Sequence, residues 1–125
     1  MDTENLLECY VNLKREMESY MKYLDAWDKK VAGWGASHQG FTLAATTKLG
    51  ERARYIIDSA PFKQGKFAPA SHLPIVGPDH FHEHPVDAII ITAPGYTDEI
   101  AASIRQKFGT SVEIRAMRSN HLEMV

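Results

Sequence analysis

The 125-residue sequence has one cysteine, Cys9, which excludes an internal disulfide and a cysteine-based zinc cluster and fits a reducing compartment. It has no surplus of positive charge. Fourteen Lys and Arg stand against 16 Asp and Glu, for a formal net charge of −2, so it lacks the broad cationic surface that attracts nucleic acid or an anionic membrane. No apolar run approaches the ~18–20 residues needed to span a bilayer. The N-terminal stretch MDTENLLECYVNLKREMES is acidic and lacks the basic region and apolar block of a signal peptide. Internal repeats and low-complexity segments are also missing. What remains is 44% hydrophobic and 24% charged residues, a globular balance at the length of one domain. The expectation is a cytoplasmic chain that forms one domain over residues 1–125.

Residues 4 to 28 read as one long amphipathic helix. Leu6, Tyr10, Leu13, Met17, Tyr20, Met21 and Leu24 recur at spacings of three and four, with Glu4, Glu8, Lys14, Glu18, Lys22 and Asp25 on the other side. Such a stripe either packs on its own domain or docks a partner. Beyond it, strand-like and helix-like stretches alternate. Lys30 to Trp34 predicts a short strand, Phe41 to Leu49 a helix closed by Gly50, and Arg54 to Ile57 a second strand ending at Asp58. Residues 59–71 form an aperiodic loop rich in Pro, Gly and Lys. Leu73 to Val76 predicts a short strand and Pro78 to His84 a short helix or turn. Ala88 to Thr92 is apolar on both faces, as a central parallel strand requires. Thr97 to Phe108 reads as a helix closed by Gly109, and Val112 to Arg115 as an edge strand. The alternation implies an α/β, Rossmann-like, three-layer domain of about five mostly parallel strands. Its layout is an N-terminal helix over 1–29, an α/β core over 30–118 and a tail over 119–125.

The most informative stretch is VAGWGASHQGFT, residues 31–42, placed after a strand and before a helix. Glycines in such a turn let the backbone approach a ligand, and the helix that follows offers amides to a phosphate. The dinucleotide fingerprint GxGxxG matches Gly33 and Gly35, but His38 takes the third glycine's place, where a side chain obstructs helix–strand packing. The P-loop pattern matches Gly35, Gly40 and Thr42, with Phe41 in place of the lysine. Nucleotide hydrolysis is therefore not expected. What survives is a strand–turn–helix with exposed amides and Ser37, or a tight turn without a ligand. Asp58, at the end of the second strand, stands either where Rossmann folds accept ribose hydroxyls or as a solvated acid.

Three segments taken in order carry a resemblance: VAGWGASHQG, then YIIDSAPFKQGKFAPASHLPIVGP, then DAIIITAPGYTDEI. Over roughly residues 29–118 the chain resembles the C-terminal domain of SAM-dependent sugar C-methyltransferases, which act on nucleotide-linked deoxysugars. In that family a zinc-binding region and a SAM-binding domain precede this domain, which is itself Rossmann-like and helps to hold the nucleotide sugar. The resemblance implies ligand contacts at Gly33, Gly35, Ala36, Ser37, Asp58, Lys63, Gln64, Gly65 and Lys66. The chain departs from the family pattern at Pro69-Ala70, where a Pro-Gly pair is usual, and at Pro94-Gly95-Tyr96, where Trp-Asn-Tyr is usual. The zinc-binding and SAM-binding portions have no counterpart in these 125 residues. The chain is thus expected to bind neither SAM nor a metal itself, and not to be a complete catalyst alone.

Lys63 and Lys66 flank a glycine beside the expected ligand edge, where two ammonium groups can neutralise a diphosphate or simply be solvated. Tyr96 and Glu99 follow the fourth strand at the same edge, although Glu99 also suits a helix N-terminus and Thr97 a cap. His38 and His72 flank the two candidate ligand loops. His80, His82 and His84 would share one side of an extended segment, but would fan out at ~100° per residue in a helix. Pro78 and Pro85 bracket a short helix there, so a metal site is not expected. His121 carries no signal, and Cys9 reads as packed.

The leading expectation is a nucleotide- or nucleotide-sugar-binding module built on the Gly33–Gly40 turn, Asp58, the Lys63–Lys66 loop, His72 and Tyr96. It would act beside a SAM-binding domain or partner protein. A free-standing NAD(P)-binding enzyme domain and a ligand-free interaction domain are the alternatives, and a homodimer is compatible with each.

Overall fold

The computed structural model of the chain describes residues 3–92, 95–117 and 122–125, with side chains for these except residues 3–10, His38, Gln39 and Leu43. The opening helix α1 (Thr3–Ala26) buries Leu13, Met17, Tyr20, Met21 and Leu24, the stripe expected from their spacing. Full burial of each Leu or Met contributes about 1.5–3 kcal/mol, so the described part of this face packs on the chain's own core, while the Leu6 and Tyr10 side chains lie outside the described residues. A left-handed Asp28 (φ 52°) ends the helix. There Lys29 N donates to Leu24 O (2.8 Å) and Asp28 N to Asp25 O (3.1 Å), the paired bonds of a Schellman cap.

The chain continues through β1 (Val31–Trp34), α2 (His38–Thr46), α3 (Leu49–Arg52), β2 (Ala53–Ile57), β3 (Ile75–Val76), α4 (His80–Glu83), β4 (Ala88–Ile91), α5 (Thr97–Phe108), β5 (Glu113–Met117) and β6 (Leu122–Met124). The strands form one six-stranded sheet in the order β3-β2-β1-β4-β5-β6. All pairings are parallel except β5 with β6. The fold is therefore the Rossmann-like α/β arrangement expected, with one more strand. Two expectations are corrected by that strand. The segment assigned as a tail contributes β6, and β5 is consequently not the edge.

The sheet is buried on both faces. Ala88 and Ile90 of β4 join the core beneath α1, α2 and α3, while Ile89 and Ile91 join the core beneath α4 and α5. This two-sided burial is why β4 reads as an unbroken apolar run. Between Val31↔Ala53 and Gly33↔Ile56 the register slips by one residue of β2. This bulge leaves Arg54 exposed and breaks the strand's alternation just upstream of Asp58.

Three local expectations change. The helix expected from Phe41 begins at His38, and Gly50 does not cap it but lies inside α3, where a Cβ would overlap the Ala44 carbonyl. Thr97 does not cap α5. Tyr96 holds that position without a side-chain bond, and Thr97 is buried. The loop after Asp58 has order its composition hides. Gly65 N donates to Ile75 O (2.9 Å), Ile75 N to Lys66 O (2.8 Å) and Ala68 N to Leu73 O (2.8 Å), folding the loop back along β3.

Candidate functional site

In a parallel sheet all strand C-termini reach one edge, and the connections diverge where the strand order reverses. Here that point lies between β1, whose chain proceeds to β2, and β4. A cavity of about 450 Å³ opens at this edge. The turn after β1 lines it with Gly35, Ala36 and Ser37, and the end of β2 with Asp58 and Ser59. Lys63 and Pro78 close one side, and Tyr96, Glu99, Ile100, Ser103 and Lys107 of α5 and its approach form the other. Trp34, almost fully buried against Phe108 (ring centroids 6.0 Å apart), also lines it.

The turn is held by its neighbours. Gly35, at φ 125°, has a backbone that L side chains rarely adopt, and its N donates to Ile57 O (2.8 Å). Ser37 is the N-cap of α2, its Oγ accepting from Gly40 N (3.3 Å). Buried Thr92, just past β4, donates from Oγ1 toward Gly35 O (3.2 Å) and Trp34 O (3.3 Å). Gly40 supplies the close packing. A Cβ there would stand 2.6 Å from both Gly35 O and Thr92 Oγ1. The close contact between turn, helix and strand end thus falls on Gly40, two residues beyond the fingerprint's third position at His38. The side chain of His38 itself lies outside the described residues.

Asp58 is engaged by the backbone through both of its oxygens. Its Oδ2 accepts from Ala36 N (2.8 Å) and its Oδ1 from Ala60 N (2.8 Å). Lys63 Nζ donates to Ala36 O (2.9 Å) and stands 3.8 Å from Asp58 Oδ2. Together these groups tie the β2 end to the β1 turn. Gln64 Nε2 donates to Asp58 O (2.9 Å), bracing the same corner from outside the cavity.

Of the expected residues, the structure brings Gly35, Ala36, Ser37, Asp58, Lys63 and Tyr96 together at the cavity. Gly33 and Gly40 lie beneath it, against the core. Gln64, Gly65, Lys66 and His72 do not line it. Lys66 is exposed on the folded-back loop, and left-handed His72 (φ 61°) sits exposed at that loop's tip. Residues the sequence reading passed over are Trp34, Ser59, Pro78, Ser103 and Lys107 in the lining, and Thr92 behind it. Glu99, Ser103 and Lys107 had a legible signal, the i, i+4, i+8 spacing that puts them on one face of α5.

The histidine segment forms helix α4 as expected, and His80 and His84 come together while His82 turns to another side. His80 packs edge-on against Tyr55 (4.8 Å) and beside His84 (4.8 Å), while His82 meets Phe108 (5.7 Å). Among the described residues no group of three His, Cys, Asp or Glu is placed to hold a metal ion. Pro94 and His121 lie outside the described residues, as does the side chain of Cys9.

A family model described as the C-methyltransferase C-terminal domain matches residues 5–113. The chain belongs to this family. Among curated relatives, this C-methyltransferase C-terminal domain is 33% identical over 89 residues to the C-methyltransferase NovU of Streptomyces niveus. That match covers 70% of the chain and 21% of the relative, so the domain spans about a fifth of the protein it resembles. Among solved structures it resembles UDP-D-quinovosamine 4-dehydrogenase from Vibrio fischeri, with a TM-score of 0.60 at 19% identity over 78% of this chain and 93% of that one. At that identity the likeness concerns the fold.

The cavity sets two lysines, Lys63 and Lys107, against two carboxylates, Asp58 and Glu99, so its lining carries both signs in equal number.

Proposed function

We propose that the domain is the nucleotide-sugar-holding lobe of a sugar C-methyltransferase, acting with a SAM-binding domain or partner protein. The observation that carries this reading is the 450 Å³ cavity at the sheet's switch point. It combines a backbone turn, two lysines, two carboxylates, several hydroxyls and an apolar floor, a mixture that offers partners to both the phosphates and the hydroxyls of a nucleotide sugar. Family membership and the likeness to NovU support a place within a C-methyltransferase. In this reading the methyl donor is held by the SAM-binding domain or partner protein.

The test is a thermal-shift panel of UDP- and dTDP-linked hexoses, the free diphosphates, NADH, NADPH and SAM. A ligand that binds only the folded state stabilises it by about 2.7 kcal/mol at a hundredfold excess over Kd. The expected result is a rise with nucleotide sugars and none with SAM. A rise with NADH or NADPH alone assigns the domain to oxidoreductase-type binding, and silence throughout leaves it an interaction domain.

A further inference from the structure

Resting on that reading, we infer that the polar face of α5, not the Asp58–Lys63 corner, reads the ligand, with its phosphates at Lys107 and its sugar hydroxyls at Glu99. Asp58 accepts from Ala36 N and Ala60 N, Lys63 donates to Ala36 O, and the Ser37 hydroxyl caps α2. Each already has part of its hydrogen-bonding capacity committed to holding the turn. Glu99, Ser103 and Lys107 line the same cavity, and among the described residues no hydrogen bond or ion pair engages their side chains.

Their spacing sets an orientation. At about 1.5 Å rise per residue, Glu99 and Lys107 stand about 12 Å apart along α5 with Ser103 midway. A carboxylate at one end and an ammonium at the other suit a ligand with an anionic segment and, a comparable distance away, hydrogen-bond donors. A nucleoside diphosphate linked to a sugar has that layout. Reversed, it would set its phosphates against Glu99 and forfeit the attraction of Lys107. The ligand therefore lies along α5, over Trp34 and Ile100, with Ser103 bonding between the two ends.

The test is isothermal titration of the whole chain with UDP, UDP-glucose, dTDP and dTDP-glucose, on wild type and on Lys107→Gln, Glu99→Gln, Asp58→Asn and Lys63→Met. Both α5 residues are exposed, so their variants should keep the wild-type melting temperature. Lys107→Gln is expected to weaken diphosphate and sugar diphosphate alike, by about tenfold, and to flatten the salt dependence. Glu99→Gln is expected to weaken the sugar diphosphate alone, by about fivefold, as loss of a carboxylate acceptor should. Neutral α5 variants alongside an Asp58 or Lys63 variant that abolishes binding would overturn this assignment and leave the nucleotide-sugar reading standing. Equal loss of UDP and UDP-glucose in Glu99→Gln would overturn the orientation. Wild type that binds none of the four would overturn both the assignment and the reading beneath it.

Discussion

Substituting Gly40 by Ala should separate the glycine the turn needs from the one it does not. The new Cβ would lie 2.6 Å from Gly35 O, 2.6 Å from Thr92 Oγ1 and 3.4 Å from Thr92 Cβ. Thr92 cannot swing away without giving up its bonds to Trp34 O and Gly35 O, and Gly35 O is backbone. Helix α2 must therefore move off the turn. Overpacking of this kind costs about 1–3 kcal/mol, while replacing a helical glycine by alanine returns about 0.5–1 kcal/mol. The net expectation is a loss of about 1–2 kcal/mol, read by urea unfolding followed by circular dichroism. Gly33 is the control. A Cβ there meets only Ile56 Cγ1 at 3.8 Å and Ile90 O at 3.9 Å, which is ordinary contact, so Gly33→Ala should match wild type within about 0.5 kcal/mol. If Gly40→Ala were as stable as wild type, or Gly33→Ala as damaging as Gly40→Ala, the assignment of the close contact to Gly40 would be refuted.

Other perturbations test other parts of the fold. Ala70 is left-handed (φ 65°) where the family usually has glycine. A left-handed alanine costs about 1–2 kcal/mol and glycine's entropy returns part of it, so Ala70→Gly should stabilise by about 0.5–1 kcal/mol in urea. Asp58→Ala leaves the Ala36 and Ala60 amides without their acceptor and should cost about 1–3 kcal/mol in the same assay. Burial pushes the Tyr55 hydroxyl up to about 12 from its ordinary 10.0. Unfolding therefore releases a proton between those values, and the Tyr55 contribution, full below pH 10, is lost as pH rises toward 12. Burial raises Tyr20 in the same direction, against the opposing Arg115 charge. Tyr55→Phe should flatten the alkaline fall measured by unfolding at stepped pH, and also lose the 2.6 Å bond to His84 O.

The elements that periodicity governs were legible. The α1 stripe, the unbroken β4 run and the α5 boundaries each follow from one apolar period against one packing surface. What escaped depends on distant partners. Strand β6 is three residues long and exists only because β5 offers an edge, while Glu16 on α1 accepts from Leu122 N. The order in the 64–75 loop comes from backbone pairing with β3, which composition does not register. At the site, the turn and Asp58 were visible as residue types, but not that the Asp58 and Lys63 side chains both bond the backbone of Ala36. The role of Gly40 turns on a close approach to Thr92, a residue more than fifty positions away, and only the folded chain supplies it.

The central claim is that the cavity at the carboxyl edge binds a nucleotide sugar. Amide NMR titration of the labelled chain with UDP-glucose and dTDP-glucose tests it most directly. The account predicts saturable shifts at Gly35–Ser37, Asp58–Lys63 and along Tyr96–Lys107, with the Lys30, His80 and His84 side of the molecule unmoved. Saturable shifts centred on Lys30, Arg54 and His84, or no shifts at millimolar ligand, would contradict it.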